Sequence, residues 1–343
     1  MIILGIETSC DETSAAIVKA DKNNDKVNLL SNVIATSLSL HTKTGGVIPE
    51  VAAREQIKYI IPVINEALDK ANIKLSQVNS IAVTVGPGLI GSLLVGVETA
   101  KTFAYLLNKP IISVNHLFGH IYANFINGEN MEKEPIDFPS LALIVSGGHT
   151  DLVLIKEHGN IKWLGGTRDD AAGEALDKIG RLLNLAYPAG PMIENLAKKG
   201  DSKKYNFPRP LISSDDFDFS FSGLKTAVLR QVNSLPTLTQ EDIENVCASS
   251  QKAVIDTLVT KTIKAAKQYN VRSILLGGGV AANQTLKEEL KSLIDIHLPS
   301  ARLFVPNKNL CTDNAAMIAT AAFFNYQTLP WSKIEANPEL YFT

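Results

Sequence analysis

Cysteine is scarce. Cys10, Cys247 and Cys311 are the only three in 343 residues, odd in number and far apart in sequence. That excludes a disulfide-stapled scaffold and fits a chain kept in a reducing compartment. An excess of one charge is lacking too: 33 Lys and Arg stand against 35 Asp and Glu, a formal net charge of −2. No global field therefore draws the chain to nucleic acid or to an anionic membrane, and any nucleic-acid role must rest on a local basic patch or a partner's surface. No uninterrupted apolar run reaches the length of a membrane span. The apolar start Met1–Ile6 meets Glu7 and Asp11 too soon for a signal peptide and has no basic stretch. The expectation is a cytoplasmic protein with no membrane partner. What is present is ordinary: 45% hydrophobic and 20% charged residues, enough to bury a substantial core, in a chain long enough for two domains.

Ile2–Ile6 reads as a buried strand and Ala15–Lys19 as a second. The turn between them, Glu7-Thr8-Ser9-Cys10-Asp11-Glu12-Thr13-Ser14, holds more carboxylates and hydroxyls than a plain hairpin tip needs. The loop Gly45–Glu50 precedes a helix over 51–71, with Pro62 inside it as a kink or a boundary; His41 and Glu50 are expected to be exposed. A strand over 80–85 runs into Gly86-Pro87-Gly88-Leu89-Ile90-Gly91-Ser92 and an apolar helix to about Leu107. These glycines leave either an open helix N-terminus suited to an anion or a tight strand-to-helix packing. No Gly-Lys-Ser/Thr follows, which argues against a P-loop. A strand over 111–114 then leads to Asn115-His116-Leu117-Phe118-Gly119-His120. On a helix His116 and His120 share a face. Two imidazoles so placed can hold one metal ion if a third ligand comes from elsewhere, although the spacing also arises by chance in histidines that only pack or cap. Leu117 stands where a zincin protease has its Glu general base, so peptide hydrolysis is disfavoured.

A charged, Pro-containing loop is expected from Gly128 to Pro139. The opening plan then returns: strand Ser140–Val145, the small-residue turn Ser146-Gly147-Gly148-His149-Thr150, and strand Asp151–Lys156. The recurrence predicts a duplicated domain. Thr167-Arg168-Asp169-Asp170 reads as the start of a helix to about Leu185, with carboxylates in its first turn. Tyr187-Pro188-Ala189-Gly190-Pro191 breaks it ahead of a short helix with Glu194. Segment 198–221 carries Lys198, Lys199, Lys203, Lys204 and Arg209, a run of the kind that usually forms a solvated face. A long amphipathic helix over 241–269 and a strand over 273–276 lead to Gly277-Gly278-Gly279-Val280-Ala281-Ala282-Asn283. Three glycines after a buried strand are costly unless a ligand or another backbone must come close. A last helix, Ala315–Phe324, follows Cys311-Thr312-Asp313-Asn314, where Asp313 is either an N-cap or a functional carboxylate.

Seven stretches, in order from residue 2 to about 324, resemble the TsaD family, formerly called Gcp or YgjD. They are Ile6–Thr13, Asn115–His120, Ser146–Thr150, Asp169–Lys178, Ser220–Ala227, Gly277–Asn283 and Thr312–Asn314. His149 and the Gly45–Glu50 loop look like the bacterial branch. The resemblance implies an α/β, duplicated actin/hexokinase/Hsp70-like (ASKHA, RNase H-like) fold of two domains, 1–115 with 314–343 and 116–313, with a ligand cleft between the halves. It implies transfer of a threonylcarbamoyl group from threonylcarbamoyl-adenylate to N6 of the adenosine 3′ of the anticodon, in tRNAs reading codons that start with adenine, with release of AMP. Carried over residue by residue, His116, His120 and Asp313 resemble the ligands of one divalent metal per subunit, iron or else zinc. Ile144, Val145, Ser146, Gly147 and Gly148, with Asp177, Gly190, Glu194 and Asn283, resemble the adenylate site, and Asp11 resembles the acidic residue at the reacting centre. Within such a site the Ser146–Gly148 amides can receive phosphate oxygens or the acyl group, and Asp177 can accept from both ribose hydroxyls. The implied partners are tRNA and TsaB-like and TsaE-like proteins. Two positions depart from the pattern: Ala189 stands for Gly, and Gln56 stands for a His whose contact is expected to be peripheral. An ASKHA-fold small-molecule kinase or a non-catalytic scaffold is the alternative. The kinase needs no histidine pair, and a degenerate scaffold is expected to have lost both that pair and the glycine-rich loop.

Overall fold

The computed structural model describes residues 1–127 and 134–342, apart from the side chains of Lys43 and Thr44. Residues 128–133, the first half of the loop expected from Gly128 to Pro139, lie outside the described residues. The chain forms two compact units, Met1–Ile136 with Pro306–Thr343, and Asp137–Val305. They divide after 136 and 305, whereas the sequence expectation divides after 115 and 313.

In chain order the first unit contains β1 (Ile2–Glu7), β2 (Glu12–Asp21), β3 (Lys26–Thr36), α1 (Leu38–Thr44), α2 (Pro49–Ala71), β4 (Ser80–Gly86), α3 (Ile90–Leu107), β5 (Ile111–Asn115), α4 (His116–Tyr122) and β6 (Ile126–Asn127). The second contains β7 (Ser140–Val145), β8 (Thr150–Glu157), β9 (Asn160–Gly166), α5 (Ala172–Leu182), α6 (Gly190–Ala197), α7 (Ser222–Ser234), α8 (Gln240–Gln268), β10 (Ser273–Gly277), α9 (Gln284–His297) and β11 (Arg302–Phe304). The chain then returns to the first unit for α10 (Ala315–Phe324).

Both sheets follow one plan. The first runs β5-β4-β1-β2-β3-β6 and the second β11-β10-β7-β8-β9. In each, three strands form an antiparallel meander while two later strands add in parallel beside its first member. The duplicated α/β architecture is thus written in the strand order. The inner strands β1, β4, β7 and β10 are apolar runs buried almost throughout, as strands covered on both faces must be.

The helices pack as their patterns require, with three departures. Pro62 sits on the exposed side of α2 and does not end it; the buried face is Ala52, Gln56, Ile60, Val63, Ile64, Ala67 and Leu68. The helix expected from Thr167 begins only at Ala172 and ends at Leu182, because Asp169 and Asp170 are engaged by other partners. The α3 helix is the one helix among the described residues long and apolar enough to cross a membrane, yet it carries Glu98 and Lys101 and buries Leu93, Gly96, Val97, Ala100 and Ala104 within its unit. The histidine helix α4 belongs to the first unit because it seats on α10: a Cβ at Gly119 would lie 2.7 Å from Ile318 Cδ1 and 3.0 Å from Met317 Cγ.

Candidate metal centre and nucleotide-binding turns

The first cluster grows from the end of β1. Glu7 is buried, and its carboxylate accepts from Ser9 N at 2.5 Å and Thr84 Oγ1 at 2.6 Å. It also lies 3.1 Å from His116 Nδ1. Strand β5 passes directly into α4, whose N-terminus is capped by Asn115 Oδ1 accepting from Leu117 N at 2.8 Å. On this short helix the rings of His116 and His120 stand 4.7 Å apart at 80°.

Asp313 completes the set from the turn before α10. The cap of that helix is Asn314, whose Oδ1 accepts from Met317 N at 3.0 Å, so Asp313 is not the N-cap and its carboxylate points to the histidines. Asp313 Oδ1 is 3.5 Å from His116 Nε2 and 3.2 Å from His120 Nε2. Three donors of this kind within 4.8 Å of one another could hold one metal ion.

Two observations show that these residues fit a cation. Neither ring nitrogen of buried His120 makes a hydrogen bond, although Nε2 lies 3.2 Å from Asp313 Oδ1; an unmet polar group costs about 1–3 kcal/mol, and coordination at Nε2 would remove that cost for one of the two. Glu7 engages Nδ1 of His116, which leaves Nε2 as the ring nitrogen facing Asp313. The local field agrees. Burial opposes charge on His116, but Asp313 and Glu7 outweigh it and hold its pKa up at about 9. Burial, Asp313 and Asp11 push the Glu12 carboxyl well up. Burial with Asp11, Asp313 and Glu12 pushes the Cys10 thiol up as well, so Cys10 is an inert thiol there.

Asp11 lies half-buried on the β1–β2 turn, whose Cys10 and Glu12 feel its charge together with that of Asp313. Two neighbouring expectations are corrected. His41 is only 1% exposed, because its ring bonds Ser37 Oγ and Ile48 N. Gln56 is also 1% exposed and is no peripheral contact: its amide donates to the carbonyls of Cys10 and Glu12 at 2.9 and 3.0 Å. Glu50 is exposed and pairs with Arg54 at 2.7 Å. The glycines after β4 serve close packing, since a Cβ at Gly88 would lie 2.5 Å from Ser9 O.

The second cluster lies in the second unit. Ile144 and Val145 are fully buried, so their side chains belong to the core and only their backbone can face a ligand. In the Ser146–Thr150 turn, Ser146 Oγ accepts from Gly148 N at 3.3 Å and His149 N at 3.1 Å, which leaves fewer amides for an anion than expected. Beyond Gly147 and Gly148 nothing lies within 4 Å of where a Cβ would stand, and the same holds at Gly190. Strand β10 pairs Gly277 with Ile144. Gly278, at φ +89°, directs its missing Cβ against the Val145 carbonyl, so there the glycine answers a close backbone.

Asp177 on α5 accepts from Ala189 N at 2.7 Å and from the Gly190 amide, while burial pushes its carboxyl up. It therefore holds the turn that opens α6. The Ala189 methyl points inward against Gly180 and is buried, so the departure from Gly does not obstruct the open side at Gly190. Glu194 Oε1 accepts from Gln284 N at 2.8 Å. Asn283 caps α9 through Leu286 N at 3.0 Å and donates to Gln251 Oε1 at 3.0 Å.

The structure thus brings His116, His120 and Asp313 together, Asp177 with Ala189 and Gly190, and Glu194 with the 283–284 turn. Sequence reasoning missed Glu7, Thr84 and Gln56 as parts of a site. The available signal was polarity out of place: a carboxylate closing an apolar strand, a Thr inside a buried one and an amide on the apolar face of α2.

Comparison with known proteins identifies the family. Residues 28–320 match the family described as TsaD, tRNA N6-adenosine threonylcarbamoyltransferase. A protein of that name from Thermosipho africanus is 47% identical over 99% of this chain and 99% of its own length. One from Syntrophomonas wolfei is 47% identical over 98% and 96%, and one from Geobacillus kaustophilus is 48% identical over the same shares. Among solved structures, T. kodakarensis HypF superposes with a TM-score of 0.61 at 14% identity, over 95% of this chain and 47% of HypF; this likeness speaks for the fold alone, and the chain spans about half of that protein. At that identity and coverage, the chain belongs to the tRNA N6-adenosine threonylcarbamoyltransferase family.

Proposed function

We propose that this chain transfers a threonylcarbamoyl group from threonylcarbamoyl-adenylate to N6 of the adenosine 3′ of the anticodon in tRNAs that read codons starting with adenine. Membership of the family carries the transferase activity and its tRNA substrate. The observation that carries the reading is the convergence of His116, His120 and Asp313 in a cluster that also contains the Asp11 turn, with His120 lacking any hydrogen bond.

A divalent ion held by those three residues, iron by preference and otherwise zinc, supplies a positive charge and a Lewis acid for oxygens that gain charge in the reaction. The remaining steps belong to the chain. The N6 amine attacks the carbamoyl carbon, the bond from that carbon to the phosphate oxygen breaks, and AMP leaves with the oxygen. Asp11 orients the amine and takes the proton it sheds. The Ser146-Gly147-Gly148 turn receives the acyl phosphate at the Gly147 amide, over the open space beside the two glycines, because Ser146 N and Gly148 N are bonded within the turn. Asp177, Gly190, Glu194 and Asn283 hold the nucleoside, with Asp177 fixing the turn at Ala189 and Gly190. Ile144 and Val145 contribute the fixed end of β7. The setting is the cytoplasm, and TsaB-like and TsaE-like proteins are the partners.

Incubation with threonylcarbamoyl-adenylate and unmodified tRNA, with and without those partners, should yield the modified nucleoside by mass spectrometry. No product under any combination overturns the function. Asp11→Ala should fold yet transfer almost nothing. The double variant His116→Ala/Asp313→Ala should purify without stoichiometric metal, and full metal content would remove these residues from the centre.

A further inference from the structure

The turn that presents Asp11 is shaped by side chains from three other elements. Its five carbonyls, from Thr8 to Glu12, all have donors. Ser9 O accepts from Leu89 N at 2.8 Å, and Cys10 O accepts from Ser92 Oγ at 3.0 Å, both at the start of α3. Gln56 on α2 spans the turn, its Nε2 donating to Cys10 O at 2.9 Å and Glu12 O at 3.0 Å, with Thr8 O at 3.4 Å. Asp11 O itself accepts from Ser37 Oγ at 3.0 Å and Ser37 N at 3.3 Å, just ahead of α1.

The two side-chain ties have directions that can be read. Three carbonyls on one side of Gln56 leave its amide a single orientation, and its Oε1 is buried without a hydrogen-bond partner. An amide held on the buried face of a helix with its oxygen unmet is there for its N–H groups. His41 Nδ1 accepts from Ile48 N at 3.3 Å, so Nε2 carries the proton and donates to Ser37 Oγ at 3.1 Å. Ser37 must then donate onward to Asp11 O. The relay Ile48–His41–Ser37–Asp11 runs one way, and it ends on the backbone of the residue proposed to take the proton.

We infer that Gln56, together with Ser37 and His41, acts as a set of positioning residues for Asp11, fixing the turn so that its carboxylate meets the attacking amine. The inference rests on the role given to Asp11 above. None of the three is a ligand to the metal or to the donor. Their removal should therefore leave substrate binding alone and lower the chemical step, as misplacing a reacting group by about 1 Å does, by ~100-fold.

The test uses the full chain with whatever partners transfer requires, threonylcarbamoyl-adenylate and unmodified tRNA, at a temperature where circular dichroism shows each variant folded. Gln56→Leu should lower kcat ~100-fold with KM for both substrates unchanged within about twofold and metal content stoichiometric. Gln56→His, which keeps one N–H toward the carbonyls, should recover part of that loss. Ser37→Ala should lower kcat about 10-fold, and His41→Phe added to it should lower kcat no further, because His41 acts through Ser37. If Gln56→Leu does not fold, the Ser37→Ala and His41→Phe pair decides the matter. Wild-type kcat in these variants while Asp11→Ala is inactive overturns the positioning role and leaves the function standing. A loss that falls on KM or on metal content also overturns it. Wild-type transfer by Asp11→Ala removes the role of Asp11 and this inference with it.

Discussion

Glu7 closes a strand that is otherwise apolar, and burial leaves its carboxylate with fixed partners in Ser9 N, Thr84 Oγ1 and His116 Nδ1. A carboxylate behind a ligating imidazole fixes the tautomer and raises basicity, and its loss typically weakens metal binding about 10–100-fold. Glu7→Gln keeps the shape but not the charge, so metal affinity measured against a competing chelator should fall by that factor. An unchanged affinity would detach Glu7 from the centre. The second residue-scale case is Gly180. In an ordinary helix Gly→Ala stabilises by about 1 kcal/mol, but here the new methyl would meet the Ala189 Cβ, and overpacking of this kind costs about 1–3 kcal/mol. Gly180→Ala should therefore lower the urea midpoint, and Gly180→Ala/Ala189→Gly should recover most of the loss. The sign of the single variant decides, since a stabilised Gly180→Ala would mean that Ala189 does not occupy that space.

At the scale of elements, propensity misplaced one helix start, and the reason is tertiary. Asp169 and Asp170 look like first-turn residues of α5, but Asp170 pairs with Lys178 and Asp169 reaches the start of α7. There it accepts from Ser220 Oγ at 2.6 Å, Phe221 N at 2.7 Å, and Ser222 N and Oγ at 3.2 and 2.7 Å. Burial pushes its carboxyl up, but the bonds from Ser220, Phe221 and Ser222 outweigh it and hold its pKa below the usual value. Asp169→Ala should cost about 0.5–1 kcal/mol at neutral pH, the low end for a cap because the group is well hydrated. The folded pKa is depressed, so this stabilisation is fully present above about pH 4 and is lost as pH falls through the folded value. Urea midpoints of wild type and variant should accordingly converge in acid, and a gap that persists unchanged would refute the charge-based cap. Strands were legible where burial on both faces makes an apolar run, as in β1, β4, β7 and β10. They were not legible in β3 and β9, where residues such as Asn28, Ser31, Asn32 and Lys162 interrupt the pattern and the pairing that makes them strands is supplied by β2 and β8.

Over the whole molecule, the duplication was legible because strand–turn–strand recurs, and the histidine pair because His116 and His120 share a local spacing, whereas Asp313 joined them only through the family resemblance. The roles of Glu7, Ser37, His41 and Gln56 were not legible because their partners are distant in sequence: Glu7 meets His116 from 109 positions away and Gln56 meets Cys10 from 46. One separation runs through the molecule. Every metal-ligating candidate and Asp11 lies in the first unit, and every nucleoside-binding candidate lies in the second. Sites built from different residues in different units should respond independently, within about threefold in affinity. Chelation should therefore strip the metal and stop transfer while leaving the affinity for adenosine, which has no phosphate to reach a cation, within that range. Asp177→Ala should do the converse, weakening adenosine binding as the Ala189–Gly190 turn loses its acceptor, with metal content still one per chain. Adenosine titrated calorimetrically into metal-loaded, chelated and Asp177→Ala protein distinguishes these cases. If chelation alone abolished adenosine binding, the nucleoside would have to be held by the metal centre, and the assignment of Asp177, Gly190, Glu194 and Asn283 would fail.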